Sequence, residues 1–307
     1  MSGSVRIYEV SMRDGFQNEP VVIPTEQKLE HLQGLLRAGF RDIEVTAFVR
    51  PSWVPPLADA AQVVAALPDA PGVRFWALVP NAVGLNRALD SGLRHVATFL
   101  SASEAHNKKN VNRTVTESLS ELQQVIAKAR AEGVQVRAYL STVFGCPFEG
   151  DVPIERSVVI ARALLDAGAQ EIALSDTIGS GNPVQVKHVV EAMLAAGIGV
   201  EQLAMHLHDT RGTALANAYS AWQEGVRTFD GCIAGIGGCP YAPGAAGNAA
   251  SEDLVNMFEL MGVDTGVNLG AACEVAETVT EVIGKPLPGR YHKYLLAARR
   301  RSANRSA

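Results

Sequence analysis

Residues 203–235, LAMHLHDTRGTALANAYSAWQEGVRTFDGCIAG, hold one complete strand–helix–strand unit. LAMHLHD (203–209) reads as a strand. The Ala-rich segment after it reads as a helix ending at Gly225, a residue suited to the helix C-cap, and TFDGCIAG (228–235) starts the next strand. Strands that alternate with helices imply parallel βαβ units. The same beat recurs upstream in VRIYEV (5–10), RDIEVTAF (41–48), VRFWALV (73–79), HVATFL (95–100), VQVRAYLS (134–141) and EIALSD (171–176). The intervening helices close at Gly39, Gly92, Gly133, Gly168, Gly197 and, after the eighth strand, Gly262; ALPDAPG, reaching Gly72, closes the second unit less regularly.

Eight such units predict an α/β chain of the (β/α)8 TIM-barrel class, with the barrel over about 5–262. An open doubly wound sheet is the alternative. It accounts poorly for eight units, and no Gly-x-Gly-x-x-Gly follows the first strand. NLGAACEVAETVTEVIGK (268–285) and YHKYLLAARR (291–300) predict additional C-terminal helices within 263–307, covering the barrel or serving a subunit contact. The whole of 1–307 is read as a single domain.

With 47% hydrophobic and 19% charged residues the chain has material for a large core. A net charge of -5 excludes the basic footprint of a nucleic-acid binder, and the one basic run, AARRRSANRSA (297–307), reads as a frayed terminus. Cys146, Cys232, Cys239 and Cys273 fit neither a disulfide framework nor a paired zinc motif. Neither a signal-like N-terminus nor a run of membrane-spanning length is present, so the expectation is a soluble, cytoplasmic protein with reduced thiols and no membrane partner.

In such a barrel, chemistry collects where the strands end. Arg13, Asp14 and Gln17 follow the first strand, Glu44 lies on the second, Arg137, Tyr139 and Ser141 share one face of the fifth, and Asp176 ends the sixth. His206 and His208, two apart, share one face of the seventh. His-x-His alone is a common pattern in cores and on surfaces. Joined by Asp14, it predicts a divalent-metal site of mixed nitrogen and oxygen ligands, and Asn248 can add an amide oxygen. Mg²⁺ or Mn²⁺ suits that set, with Zn²⁺ or Co²⁺ as alternatives.

Arg13 beside a metal implies an anion between them, a carboxylate or an enolate; the plainer reading is a salt bridge to Glu19 or Asp42. GIGGCPYAPGAAGN (235–248) is glycine-rich and reads as a lid that brings Cys239 to a reacting carbon, although a lone cysteine is as readily a small buried hydrophobe. HNKKNVNR (106–113) reads as a basic loop. Lys108, Lys109 and Asn110 there meet the phosphates or pantetheine amides of a nucleotide-like thioester, or are merely solvated. Gln17, Arg137 and Tyr139 are expected to face the substrate.

MRDGFQNE, IEVTAFV, KKNVN, GCPFEG, SDTIG, HLHDTRGTALAN and GGCPYAPGAAGNAASEDLV together resemble the signature segments of the 3-hydroxy-3-methylglutaryl-CoA (HMG-CoA) lyases, within the DRE-TIM metallolyases. The resemblance spans nearly the whole chain. Its cysteine-bearing loop is similar to the lyase branch rather than to the acetyl-CoA-dependent condensing acyltransferases that share the Arg-Asp-Gly-x-Gln and His-x-His segments. It implies metal ligation by Asp14, His206, His208 and Asn248, stabilisation of an acetyl-CoA enolate by Arg13 and proton transfer by Cys239. Glu44, Asp176 and Glu252 match acidic residues that support the site.

The implied reaction is a retro-Claisen cleavage of HMG-CoA to acetyl-CoA and acetoacetate, a step of leucine degradation, with acyl-CoA as the small-molecule partner and a homodimer or other homo-oligomer as the assembly. Ser11, Met12, Phe16, His106 and Ser175 depart from the family's usual residues. They leave open a related 3-hydroxyacyl-CoA with a different acyl group.

Overall fold

The computed structural model describes residues 3–238 and 247–306. The eight predicted beats become β1 (Arg6–Glu9), β2 (Asp42–Ala47), β3 (Arg74–Leu78), β4 (His95–Ser101), β5 (Gln135–Ser141), β6 (Glu171–Asp176), β7 (Leu203–Leu207) and β8 (Thr228–Gly231). All pair in parallel in sequence order, and the barrel closes where β1 meets β8, in register from Arg6 opposite Thr228 to Glu9 opposite Gly231. β2, β6, β7 and β8 are buried at every residue, because side chains fill the barrel inside and helices cover it outside.

The helices are α1 (Thr25–Ala38), α2 (Ala60–Ala65), α3 (Ala82–Asp90), α4 (Glu104–Val111), α5 (Val115–Ala131), α6 (Ile154–Asp166), α7 (Pro183–Ala195), α8 (Ala214–Gln223), α9 (Ser251–Leu260), α10 (Leu269–Ile283) and α11 (Tyr291–Ser306). Their starts are locally encoded. Thr114 and Glu117 form a reciprocal capping box at α5, and the side chains of Asn182 and Asn268 accept backbone N–H groups at the starts of α7 and α10. At the end of α1, Gly39 takes φ 96° and its N–H reaches back to Leu36 O, as its position in the sequence predicts.

Four segments differ from the expected pattern. The first strand stops at Glu9, and Ser11–Gly15 form a wide helical turn in which the Val10 carbonyl accepts from the N–H groups of Arg13, Asp14 and Gly15. The seventh and eighth strands end earlier than read. His208 forms only an isolated antiparallel bridge with Asn248, and Ile233–Gly235 make a tight turn with Ala234 at φ 59°. The expected basic loop 106–113 is mostly the C-terminal part of α4, ending at Asn112 with φ 57°. Of the additional helices, α10 packs along α1, where Gly34 leaves room for Val275, and the Asn268 N–H donates to Ala38 O at 2.7 Å. No described helix is long and apolar enough to cross a membrane.

Candidate active site

The barrel interior carries a ladder of buried charges. Arg137 on β5 has no exposed surface; its Nε donates to Glu171 at 2.6 Å, and both its Nη atoms donate to Asp230 on β8. Nearer the C-terminal ends of the strands, Glu44 of β2 accepts from the Tyr139 hydroxyl and from Arg13 Nε. Every charge is paired, the condition under which charges are tolerated in an interior. Arg13 therefore reaches neither Glu19, which pairs with Lys285 at 2.7 Å, nor Asp42, which pairs with Arg74 at 2.6 Å.

Above this ladder the wide turn after β1 aims Asp14 at the end of β7. Asp14, His206 and His208 are all buried, and one ligand atom from each lies within 4.8 Å of the other two. Asp230 accepts from His206 Nδ1 at 2.9 Å, which turns Nε2 toward Asp14 Oδ2, 3.8 Å away. Asn248 completes the ring. Its Nδ2 donates to Asp14 Oδ2 at 2.8 Å and to Ile236 O at 3.2 Å, which fixes the amide with Oδ1 left over. Asn248 Oδ1 and His208 Nδ1 are buried and make no hydrogen bond to a described residue. Two orphaned lone-pair donors beside a carboxylate and a second imidazole suit a divalent cation.

The electrostatics agree with that donor set. Burial pushes the Asp14 carboxyl up, but Arg13, His206 and His208 pull it down further, to about 2. Burial, then the neighbouring His206, lowers His208 to about 4, so its imidazole is neutral at pH 7, the form that binds metals. Burial alone would lower Arg13, yet Glu44 and Asp14 outweigh it and hold the guanidinium charged. Its Nε is taken by Glu44 and one Nη by Asp14; the other Nη makes no hydrogen bond to a described residue.

A cavity of about 670 Å³ opens over this floor, lined by Arg13, Asp14, His206 and His208 below and by Leu78 and Phe99 on one wall. Gln17 and Tyr139 also line it, and the Gln17 amide donates to Asp14 at 3.0 Å. Asn110 lines it as well. Lys108 and Lys109 do not line it: Lys108 Nζ turns back to Asn112 O, and Lys109 sits over the Phe148 ring. Arg137, expected to meet the substrate, lies a layer lower with its donors spent on Glu171, Asp230 and the Tyr139 hydroxyl, because alternation along a strand gives a side chain's face but not its depth.

Asp176 is fully buried and accepts from the N–H groups of Ser180 and Gly181. Burial raises its pKa, with those two bonds opposing. Glu252 is buried outside the cavity lining, between Ala234 and His292. Cys239 lies outside the described residues. His106 is buried at the cavity wall, its Nδ1 2.6 Å from Ser101 Oγ, and burial lowers it to about 4.

The HMGL-like family model matches residues 4–279. The chain belongs to the HMGL-like family. Within it, the hydroxymethylglutaryl-CoA lyase YngG of Bacillus subtilis is 50% identical over 286 residues, covering 93% of this chain and 95% of that one. The 3-hydroxy-3-isohexenylglutaryl-CoA/hydroxymethylglutaryl-CoA lyase of Pseudomonas aeruginosa is 43% identical, with coverages of 95% and 97%. An HMG-CoA lyase from Acinetobacter baumannii, solved with coenzyme A and 3-methylmalate, superposes with a TM-score of 0.90 at 36% identity, covering 94% of each chain.

Two residues that shape this HMGL-like site were not singled out from sequence. Asp230, which orients His206, sits inside TFDG, where an acid before glycine reads as a turn signal. Glu9 is fully buried at the end of β1 and accepts from Ser251 Oγ and from the N–H groups of Ser11 and Ile233. It ties together the three segments that carry Asp14, the start of the glycine-rich stretch and the residues after Asn248. An acid as the last residue of an apolar strand was the signal available for it.

Proposed function

We propose that this chain is a divalent-metal-dependent carbon–carbon lyase that cleaves HMG-CoA to acetyl-CoA and acetoacetate by a retro-Claisen reaction. One observation carries the reading. Asp14, His206 and His208 converge beside the partly unspent guanidinium of Arg13, with Asn248 Oδ1 and His208 Nδ1 buried and without a hydrogen-bond partner among the described residues. This supports a metal site adjoining a fixed positive charge, the combination an anionic substrate and an enolate product require.

Asp14, His206, His208 and Asn248 would hold the cation, Mg²⁺ or Mn²⁺ on the donor set. When bound it supplies Lewis-acid polarisation of substrate oxygens. The chain's own groups do the rest. As the C2–C3 bond breaks, its electron pair moves into the thioester and the enolate oxygen develops negative charge. The open Nη of Arg13, held in place by Glu44 and Asp14, meets that charge without reorganising. Asp14, near 2, is a poor base for the 3-hydroxyl proton. On the family resemblance we assign both proton steps to Cys239: its thiolate takes the 3-hydroxyl proton as the ketone of acetoacetate forms, and the resulting thiol returns a proton to C2 of the enolate, giving acetyl-CoA. The apolar wall of Leu78 and Phe99 and the P. aeruginosa relative's name support a second reading, a larger 3-alkyl substituent on the same 3-hydroxyacyl-CoA skeleton.

α10 packs on α1 and α9, and α11 on α9, which supports reading barrel and extension as one domain. Cys146, Cys232 and Cys273 are buried and form no disulfide among the described residues, which supports a reducing, cytoplasmic setting.

The test is steady-state turnover of HMG-CoA by chelated protein before and after Mg²⁺ or Mn²⁺ is restored, with both products followed. Equal, metal-dependent formation of acetyl-CoA and acetoacetate is expected. Metal binding without cleavage moves the substrate to another 3-hydroxyacyl-CoA, and no metal binding refutes the reading.

A further inference from the structure

The segment between α10 and α11 touches the site's framework at both described ends of the glycine-rich stretch. Glu252, at the start of α9, is fully buried, and its two carboxylate oxygens divide their work. Oε2 accepts from the Ala234 N–H at 3.0 Å, and Oε1 accepts from His292 Nδ1 at 2.7 Å. The Gly289 N–H donates to Ala234 O at 2.8 Å, so both polar groups of the Ala234 backbone are held, one by Glu252 and one by the segment leading into α11, the helix that carries His292. The neighbouring Asp253 accepts from the N–H groups of Arg290 and Tyr291, anchoring that segment at the start of α11.

What is held there is a turn the chain would not adopt unaided. Ala234 has φ 59° and Gly235 φ 68°, and a left-handed alanine persists only where its surroundings impose it. Two residues on, Ile236 O accepts from Asn248 Nδ2, the same nitrogen that donates to Asp14 Oδ2. A Cβ on Gly237 would lie 2.7 Å from that nitrogen, so the turn and the amide are in contact as well as bonded. A continuous path therefore runs from His292 through Glu252, Ala234 and Ile236 to Asn248 and Asp14.

We propose that His292 is a positioning residue: by holding Glu252 it imposes the Ala234–Gly235 turn, and the turn sets the Asn248 amide so that Oδ1 faces the metal site. The inference rests on reading Asn248 as a metal ligand. His292 is 2% exposed and does not line the cavity, so it acts through Glu252 and not on substrate. It gives the C-terminal segment a task beyond covering the barrel. Gly289 belongs to the same device, since a Cβ there would stand 2.3 Å from Glu252 Oε1 and 3.0 Å from Ala234 C.

The experiment compares full-length wild type, His292→Ala, His292→Asn and Gly289→Ala by hydrogen exchange without metal, Mn²⁺ calorimetry, thermal melting and turnover of HMG-CoA. His292→Ala is expected to speed exchange in peptides covering 231–238 and 247–253 while the β3–β6 strands stay protected. Its Mn²⁺ affinity should weaken about tenfold or more. Its kcat should fall with KM changed by less than about threefold. His292→Asn, whose amide N–H can stand in for Nδ1–H, should recover most of each loss. Gly289→Ala, which keeps the imidazole but wedges the turn, should reproduce the Ala variant and decides the matter if His292→Ala does not fold.

Unchanged exchange in 231–238, or faster exchange with unaltered Mn²⁺ affinity, overturns the proposal. Uniformly faster exchange with no rescue by asparagine also overturns it, since that marks general destabilisation. A wild type that binds Mn²⁺ yet leaves HMG-CoA intact refutes the proposed reaction, while the exchange and Mn²⁺ results still support the positioning role. A wild type that takes no Mn²⁺ overturns both.

Discussion

Arg13→Met separates two duties that the structure gives one side chain. The guanidinium is 2.5 Å from Glu44 and 2.5 Å from Asp14, with 7% of the side chain exposed, and methionine keeps the apolar stem while removing the charge. Taking one partner from a buried pair typically costs about 3–5 kcal/mol. Tyr139 still donates to Glu44, and Gln17 and Asn248 still donate to Asp14, so neither carboxylate is orphaned. The expected loss is therefore at the lower end, about 3 kcal/mol at pH 7. It is read from urea unfolding of the metal-free protein.

The same substitution removes the donor proposed for the enolate. Losing one preorganised donor of this kind typically lowers kcat by roughly 10²–10³. KM for HMG-CoA should change little, because the charge develops only as the bond breaks. The assay is steady-state kinetics at saturating Mn²⁺, with Mn²⁺ affinity measured in parallel so that displacement of Asp14 is not mistaken for loss of the enolate contact. A kcat within about threefold of wild type refutes the enolate role. An unchanged urea midpoint refutes the energetic weight placed on the Arg13 pairs.

Asp230→Asn, which weakens the acceptor that orients His206, should lower Mn²⁺ affinity by about 10–100-fold in calorimetry; equal affinity would show that His206 is held without it. Cys239→Ser should keep Mn²⁺ affinity and lose turnover by roughly 10² or more, and retained turnover would remove the thiol from the chemistry. Glu9, pushed up from 4.5 to about 7 by burial against the pull of its three donors, makes the fold more stable when protonated. That contribution is complete below about pH 4.5 and is lost as pH rises through 7, roughly 3 kcal/mol in all. Glu9→Gln should therefore flatten the pH dependence of urea stability between pH 4 and 8, and a parallel profile would contradict the burial argument.

Much of the arrangement was legible because strand ends coincide with chemistry. His206 and Asp14 sit where apolar runs stop, and a closed barrel brings such ends to one rim, so the convergence of Asp14, His206 and His208 follows from the βαβ count. Depth was not legible. Arg137 and Tyr139 alternate onto the inner face alike, yet only Tyr139 reaches the cavity, since depth depends on strand register and tilt. Residues 106–113 read as a loop because α4 is almost wholly polar and offers no apolar stripe to signal a helix. Pairs such as Arg13–Glu44 and Glu252–His292 join different units, and nothing local predicts which acid meets which base.

The bond from Asn248 to Asp14 joins residues 234 apart in sequence, and β1 waits for β8 across 222. During synthesis the first seven units must therefore emerge with β1 and β7 as open sheet edges, and the proposed ligand ring lacks Asn248 until almost the whole barrel has left the ribosome. Barrel closure and completion of the proposed metal site are thus late, long-range steps, the kind of topology expected to fold slowly and to expose sheet edges while it does so. A cation held by the proposed site would favour the closed form by mass action, coupling the yield of folded protein to the supply of that cation.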